Sequence, residues 1–398
     1  MTTDLNTMDL LPGTDFGSLA ARFSPLFESI GQDVLERERN HVLPYDQVRS
    51  LQKAGFTSLR VPREFGGGGV ALDVFLELFL ELAALDSNVA HLLRGHIVQV
   101  ESLLLQEDGP HRSRWLHRIA DGALIGNAAS ERNTLTEITT TLSRTGTDFT
   151  VSGTKYYTTG SIYSDWISLS AARDGERYGV LVRADHPGVS IQDDWDGFGQ
   201  QLTGSGSLTL HQVPVDPSDI IVVDPADPHL AFRTALFQSI LLLVASGIAQ
   251  NAINDAVAFV KPRKRTFAVA GERIPAKEDL VQVVVGEAAA KAYAAKSTAL
   301  RVARDLSDYA ASTGRAITGE QLVVDAFKAQ QVVLKLAQET ASDIFEVGGA
   351  SATSTDLLLD RHWRNARTVA SHNPAKYRAR LVGEHLLTGT FELYASRT

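Results

Sequence analysis

Three stretches of the C-terminal half, residues 229–260, 277–311 and 319–347, are long, rich in alanine and apolar on more than one side. A helix with one wet face lies at the edge of a core, but one that is apolar around most of its circumference has to be enclosed. These three stretches therefore predict a helical bundle, with more apolar surface than a monomer of this size leaves bare. Thr318 followed by Gln321 reads as a capping box for the third helix, and Gly348-Gly349 closes it. The longest apolar run, 239–248, is too short to span a bilayer. The formal net charge of −9 speaks against a general binder of nucleic acid or anionic membrane. With no cysteine in the chain, disulfides, thiolate catalysis and cysteine metal sites are excluded. Residues 1–16 are polar and acidic, without the basic-then-apolar order of a secretory signal, so a cytoplasmic protein is expected.

The N-terminal part also reads as helical. Ser24-Pro25 is a cap-and-proline start for a helix to about residue 39, and Gly55 ends a short helix over 45–54. Four glycines, 66–69, form a loop, and no Gly-Lys-Ser/Thr follows to make it a phosphate cradle. Asp73 is the expected cap of a helix over 74–85. Asp86 or Ser87 starts another, to about residue 106, that carries His91 and His96. Five residues apart, these histidines do not share a face, and no metal-binding spacing is present. From about 123 to 223 the texture changes to short apolar and aromatic runs, among them Phe149-Val151, Tyr156-Tyr157, 166–169, 178–182 and 208–210. Turn residues separate them, as in a β-sandwich or barrel. The expected protein is α+β: a helical domain at 1–122, a β domain at 123–228 and a helical bundle at 229–398.

One late stretch, 361–374, has the composition of a site: Arg361, His362, Trp363, Arg364, Asn365, Arg367, His372 and Asn373 within fourteen positions. The arginines recur every third residue on one broad helix face. Asn373-Pro374 ends the helix, which leaves His372 at its C-terminus, where the macrodipole favours a protonated imidazole. A surface helix ending in an ordinary histidine cap fits these residues equally well.

Several strings, taken in order, carry a resemblance. They are Val61-Pro62-Arg63-Glu64-Phe65-Gly66-Gly67, Asn127-Ala128-Ala129-Ser130-Glu131, Lys155-Tyr156-Tyr157-Thr158-Thr159-Gly160-Ser161, Trp195 to Gln201 followed by Gly204-Ser205-Gly206, and Gly348-Gly349. Over nearly its whole length the chain resembles the acyl-CoA dehydrogenase superfamily. That implies a helical N-terminal domain, a central β-sandwich or barrel and a C-terminal four-helix bundle. Dehydrogenases of the family need a carboxylate base, yet no Asp or Glu occurs between Arg361 and Val382. A histidine followed by Asn373-Pro374, together with Asp193-Asp194-Trp195 to Gln200, resembles instead the reduced-flavin branch, the dibenzothiophene- and alkanesulfinate-type monooxygenases.

The resemblance implies FMN reduced by a separate NAD(P)H-dependent flavin reductase, O2, a C4a-(hydro)peroxyflavin and a small organosulfur substrate (sulfide, sulfoxide or sulfinate). It implies a homotetramer, a dimer of dimers on the long helices, and no metal. It places Asn127, Ser161 and His372 around the reacting oxygen. Ala128, Tyr157, Thr158, Thr159, Gly348, Gly349 and Arg367 are placed on the flavin, and Arg263 or Arg265, with Phe267 close behind, on its phosphate. His91, Arg94, His96, Trp195 and Phe198 are placed on the substrate. Arg94-Gly95 departs from the branch, where a glycine and an aromatic residue are expected. Read without the resemblance, Arg94 is a helix-surface arginine. The alternatives are an FAD-dependent acyl-CoA dehydrogenase and an N-hydroxylating monooxygenase of the same fold.

Overall fold

The computed structural model describes residues 13–132, 138–265, 274–311 and 317–391. Among these, seven α-helices precede a sheet and five follow it. The first helix, α1 (Phe16–Gln32), starts earlier than Ser24-Pro25 predicts. Its cap is Asp15, whose carboxylate accepts the Ser18 N–H at 3.0 Å. Pro25 lies inside it. The buried stripe Leu19, Phe23, Phe27 and Ile30 outweighs the hydrogen bond that the proline removes.

Next come α2 (Val34–Asn40), α3 (Tyr45–Lys53) and α4 (Leu72–Ala83). Asp73 does not cap α4; it lies in the first turn and accepts the Ser307 hydroxyl at 3.0 Å. The single helix expected over His91 and His96 is two, α5 (Ser87–Leu92) and α6 (Arg94–Leu104), with a break at Leu93. Asp86 caps α5 through the N–H groups of Asn88 and Val89. A final helix, α7 (Pro110–Ala120), completes this part.

The sheet comprises β1 (Ile125–Ala128), β2 (Thr141–Thr145), β3 (Asp148–Lys155), β4 (Trp166–Arg173), β5 (Glu176–Arg183), β6 (Val189–Ile191), β7 (Leu208–Val215) and β8 (Ile220–Val222). Its order is β6-β7-β3-β2-β4-β5-β8, with β1 also paired to β4. It is mixed, because β1 and β2 run parallel to β4 while the other pairs are antiparallel. Ile167, Leu169, Val180 and Val182 share one core with Val151, Leu208, Leu210 and Val213. Strands far apart in the sheet order thus pack face to face, and the sheet wraps on itself. Tyr156-Tyr157 lies beyond β3, and Tyr157 leaves the strand with φ +63°.

The C-terminal part is α8 (Leu230–Val260), α9 (Asp279–Ala310), α10 (Gly319–Asp343), α11 (Asp360–Ser371) and α12 (Ala375–Thr388). The run 239–248 is only the centre of α8, which is long and apolar enough to cross a membrane. However, 83 % of its most apolar window is buried inside the protein. It is a core helix, packed with α4, α9 and α10. On α9, Ala288, Ala292, Ala295, Ala299 and Ala303 face that core, so the helices close on small side chains. The Thr318 hydroxyl accepts the Gln321 N–H at 3.1 Å, as the capping box predicts. Asp255 of α8 anchors α11 by accepting from Arg361 (2.5 Å) and His362 (2.8 Å). The three arginines of α11 therefore do not act together: Arg364 meets Asp360 and the Phe198 carbonyl, and Arg367 meets Gln338.

Candidate active site

A cavity of about 940 Å³ opens where α5, the ends of β1 and β3, and the end of α11 meet. His91 lines it from α5, and His372 and Asn373 line it just past α11. Ser130 and Glu131 follow β1, and Tyr157 and Thr159 follow β3. The β6–β7 connection supplies Trp195, Phe198, Gln200, Thr203 and Ser205.

The two histidines are held differently. Nδ1 of His91 lies 2.8 Å from Oε1 of Gln200, whose amide nitrogen donates to the Ser87 hydroxyl at 2.9 Å. An amide oxygen only accepts, so His91 donates from Nδ1 and its Nε2 is a bare acceptor, with no partner. Burial, reinforced by the Arg94 charge, pulls its pKa down to about 4 against the opposing effect of the Gln200 bond.

Gln200 is itself fixed. It sits at φ +51°, and its backbone N–H donates to Asn365 Oδ1 at 2.6 Å. The amides of Asn365 and Asn88 converge on Glu38 Oε1 at 2.9 and 2.8 Å, so α2, α5 and α11 jointly hold the loop that orients His91. Gly199, next door, lies so close to the Arg364 carbonyl that a Cβ would collide with it. Gly160, at φ +83°, stands in the same relation to the Leu92 carbonyl.

Around His372, Nη1 of Arg94 lies 3.1 Å from Nε2, and the ring is 6.0 Å from that of His91, centroid to centroid. Crowding by protein, then the Arg94 charge, then His91 hold the imidazole well below its usual pKa. His372 is open to solvent on one side, which screens both effects in part, while Arg94 is buried behind it at hydrogen-bond distance. The protonated imidazole expected at a helix C-terminus is therefore not what forms. A full positive charge at hydrogen-bond distance outweighs the fractional negative charge of the helix end.

Glu131 forms another part of the wall. It accepts from Lys155 Nζ at 2.7 Å and from the hydroxyls of Thr139 and Thr140. Burial pushes this carboxyl up, but the ammonium and the Thr groups together bring it down to about 2. Tyr157 and Trp195 meet edge to face, 6.1 Å between centroids, and Phe198 stacks on Trp363 at 5.8 Å.

The other expected site residues fall elsewhere. Ser161 and Asn127 meet each other, the Ser161 hydroxyl donating to the Asn127 carbonyl at 3.3 Å, but neither lines the cavity. The side-chain amide of Asn127 makes no hydrogen bond among the described residues. Ala128 is buried in the sheet core, and Thr158 donates to the Gly206 carbonyl. His96 is turned away from the cavity: Nε2 donates to the Thr57 carbonyl at 2.9 Å and Nδ1 accepts the Ile125 N–H at 3.3 Å. Both its nitrogens are taken, which removes it from the substrate wall. Arg94 is not a helix-surface residue; it is buried behind His372. Arg367 lies on an exposed face with Gln338.

Arg263 and Arg265 line a second cavity, of about 400 Å³, with Gly348, Ala350 and Ser351. Gly349 opens the 3-10 turn beside it. Thr266 and Phe267 lie outside the described residues. Gln200, Ser205 and the Glu131–Lys155 pair stand in the family-like strings and Thr203 lies between two of them, but none carried a signal that marked it as a wall residue.

Residues 26–123, 128–213 and 239–377 match, in that order, the N-terminal, middle and C-terminal domains of acyl-CoA dehydrogenase. Dibenzothiophene monooxygenase of Rhodococcus qingshengii is 29 % identical over 380 residues, covering 90 % of this chain and 90 % of the relative. The probable FMNH2-dependent monooxygenase SfnC of Pseudomonas putida is 28 % identical, covering 89 % and 91 %. Among solved structures, FMN-bound TdsC from Paenibacillus sp. A11-2 superposes with a TM-score of 0.86 at 28 % identity, covering 94 % and 98 %.

Proposed function

The chain belongs to the acyl-CoA dehydrogenase family, and from that premise we propose that it is a monooxygenase. It uses externally reduced FMN and O2 to oxygenate a small organosulfur substrate. The observation that carries the reading is the placing of two histidines, His91 held by Gln200 and His372 by Arg94, on a cavity wall whose carboxylate is already committed to Lys155. Glu131 is held ionised by Lys155, with a pKa near 2, which makes it a poor base for removing the α-proton of an acyl-CoA. Neutral donors and acceptors suit oxygen transfer to a soft nucleophile, which needs no base.

The residues fit FMN. Tyr157 and Trp195 offer an aromatic wall, and Ser205 and Thr159 offer hydroxyls. The unpartnered Nε2 of His91 is an acceptor awaiting a donor. Arg263 and Arg265 offer the bidentate cations that a phosphate requires, at a cavity that a neighbouring subunit's flavin would reach. Reduced FMN supplies the two electrons that activate O2. The balance is reduced FMN plus O2 plus sulfide giving FMN, sulfoxide and water. In this reading His372 donates to the reacting oxygen, and Asn127 and Ser161 support the flavin from behind the cavity. Trp195 and Phe198 border the substrate, and a diffusing flavin reductase is the partner. The assembly is a homotetramer, a dimer of dimers, and the cytoplasm, where NAD(P)H is available to the reductase, is its location.

The test supplies flavin reductase, NADH, FMN and 18O2 with an aromatic sulfide, a sulfoxide and an alkanesulfinate in parallel. One atom of 18O in the product of at least one of them is expected. Bleaching of bound flavin by an acyl-CoA without oxygen would overturn the reading.

A further inference from the structure

Arg94 is a buried cation, 8 % exposed, with no carboxylate at ion-pair distance among the described residues. Its side chain is nonetheless fixed. Nε donates to the Phe237 carbonyl at 3.1 Å, the guanidinium lies over the Phe237 ring at 4.5 Å, and Nη1 points at His372. Resting on the reading above, in which His372 faces the flavin, we propose that Arg94 is a positioning residue that fixes His372 as a neutral imidazole with its proton on Nδ1.

The argument is one of donors and acceptors. A guanidinium has only N–H groups, so the 3.1 Å contact is a hydrogen bond only while Nε2 of His372 keeps its lone pair. The one proton of the neutral ring then sits on Nδ1. Protonating His372 would break that bond and set two cations against each other at hydrogen-bond distance in a part-buried place. The charged and titratable groups facing the ring are Arg94 from α6 and His91 from α5, and His91 is itself held neutral. Gln238 of α8 and Gln330 of α10, which meet Asn373, carry no charge. The carboxylate on the cavity wall, Glu131, belongs to Lys155. Burial lowers Arg94 only to about 9, so it stays charged through the neutral range. The pair then presents complementary nitrogens: Gln200 leaves His91 a bare acceptor, and Arg94 leaves His372 a donor.

The test measures hydrogen–deuterium exchange at the imidazole C2 position of His372, peptide by peptide in a mass spectrometer, on flavin-free protein. In wild type, His372 should titrate well below the ordinary 6.5, and in Arg94→Met its pKa should rise toward that value. Arg94→Lys, which keeps the charge, should hold the pKa low and guards against a misfolded Met variant. In the coupled assay, the ratio of product to peroxide for Arg94→Met should change with pH around the raised pKa, while wild type stays flat there. An unchanged His372 pKa in Arg94→Met, or a wild-type His372 that titrates near 6.5, overturns the proposal. So does a raised pKa with an unchanged pH profile. Absence of oxygenation by wild type at every pH is a separate result; it defeats the monooxygenase reading and leaves the exchange measurement to decide on Arg94.

Discussion

His372 is the residue whose loss should separate oxygen consumption from product formation. Its imidazole sits on the cavity wall beside His91 and cannot be replaced by a neighbour, because Asn373 is engaged with Gln238 at 3.3 Å. In His372→Ala, product formation should fall on the order of a hundredfold. Oxygen uptake should continue as hydrogen peroxide release, read with a peroxidase-coupled dye. Equal product yield in mutant and wild type would remove His372 from the chemistry. Lys155 should matter for stability instead. It is fully buried against Glu131, so Lys155→Met strands a buried carboxylate and should cost about 3–5 kcal/mol, read by denaturant unfolding. Because the folded pKa of Glu131 is depressed to about 2, its contribution is complete above its ordinary value of 4.5 and fades as pH falls toward 2. The mutant should lose the part of the wild type's acid sensitivity that falls in that window. His91 and His372 were legible in the sequence as candidates because of the strings around them. Their protonation was not, since Arg94 lies 278 positions from His372 and takes its own orientation from Phe237, 143 positions away.

At the scale of elements, α11 does more than present His372. Asn365 on its buried side takes the Gln200 N–H and gives its own amide to Glu38. Asn365→Ala leaves both ends of that bridge short, which should cost about 1–3 kcal/mol and lower Tm by roughly 1–4 °C for a chain of this length. His91 should also lose its fixed orientation, so peroxide release should rise relative to product. A Tm and a coupling ratio both equal to wild type would show that the bridge is idle. The long helices, the Thr318 cap and the run of strands could be read from periodicity and capping chemistry, which are local. The start of α1 and the break at Leu93 could not. Pro25 is tolerated because of what the helix buries, and the break at Leu93 aims α5 and α6 differently, sending His91 to the cavity and His96 to Thr57.

At the scale of the whole molecule, α9 and α12 leave large apolar side chains in the open. Leu280, Val283 and Tyr293 lie on α9, with Leu386 and Leu387 on α12, the last 88 % exposed. A surface of this kind belongs in an interface. Light scattering at micromolar concentration should give about four times the 43.1 kDa of one chain, and a stable monomer would defeat the tetramer. The close approaches at Gly160 and Gly199 have a consequence for how such a protein can diversify. At these two points the sheet region touches the helices before it and after it, backbone against backbone, on either side of the cavity. Any side chain there would wedge the seams apart, so inheritance has almost no latitude at those positions. Phe198 and Tyr157 line the cavity and Trp363 stacks on Phe198, each between 41 % and 51 % exposed. A lineage, or a mutagenesis library, in search of new substrates would find its variation in that aromatic lip and its dead ends in the two glycines.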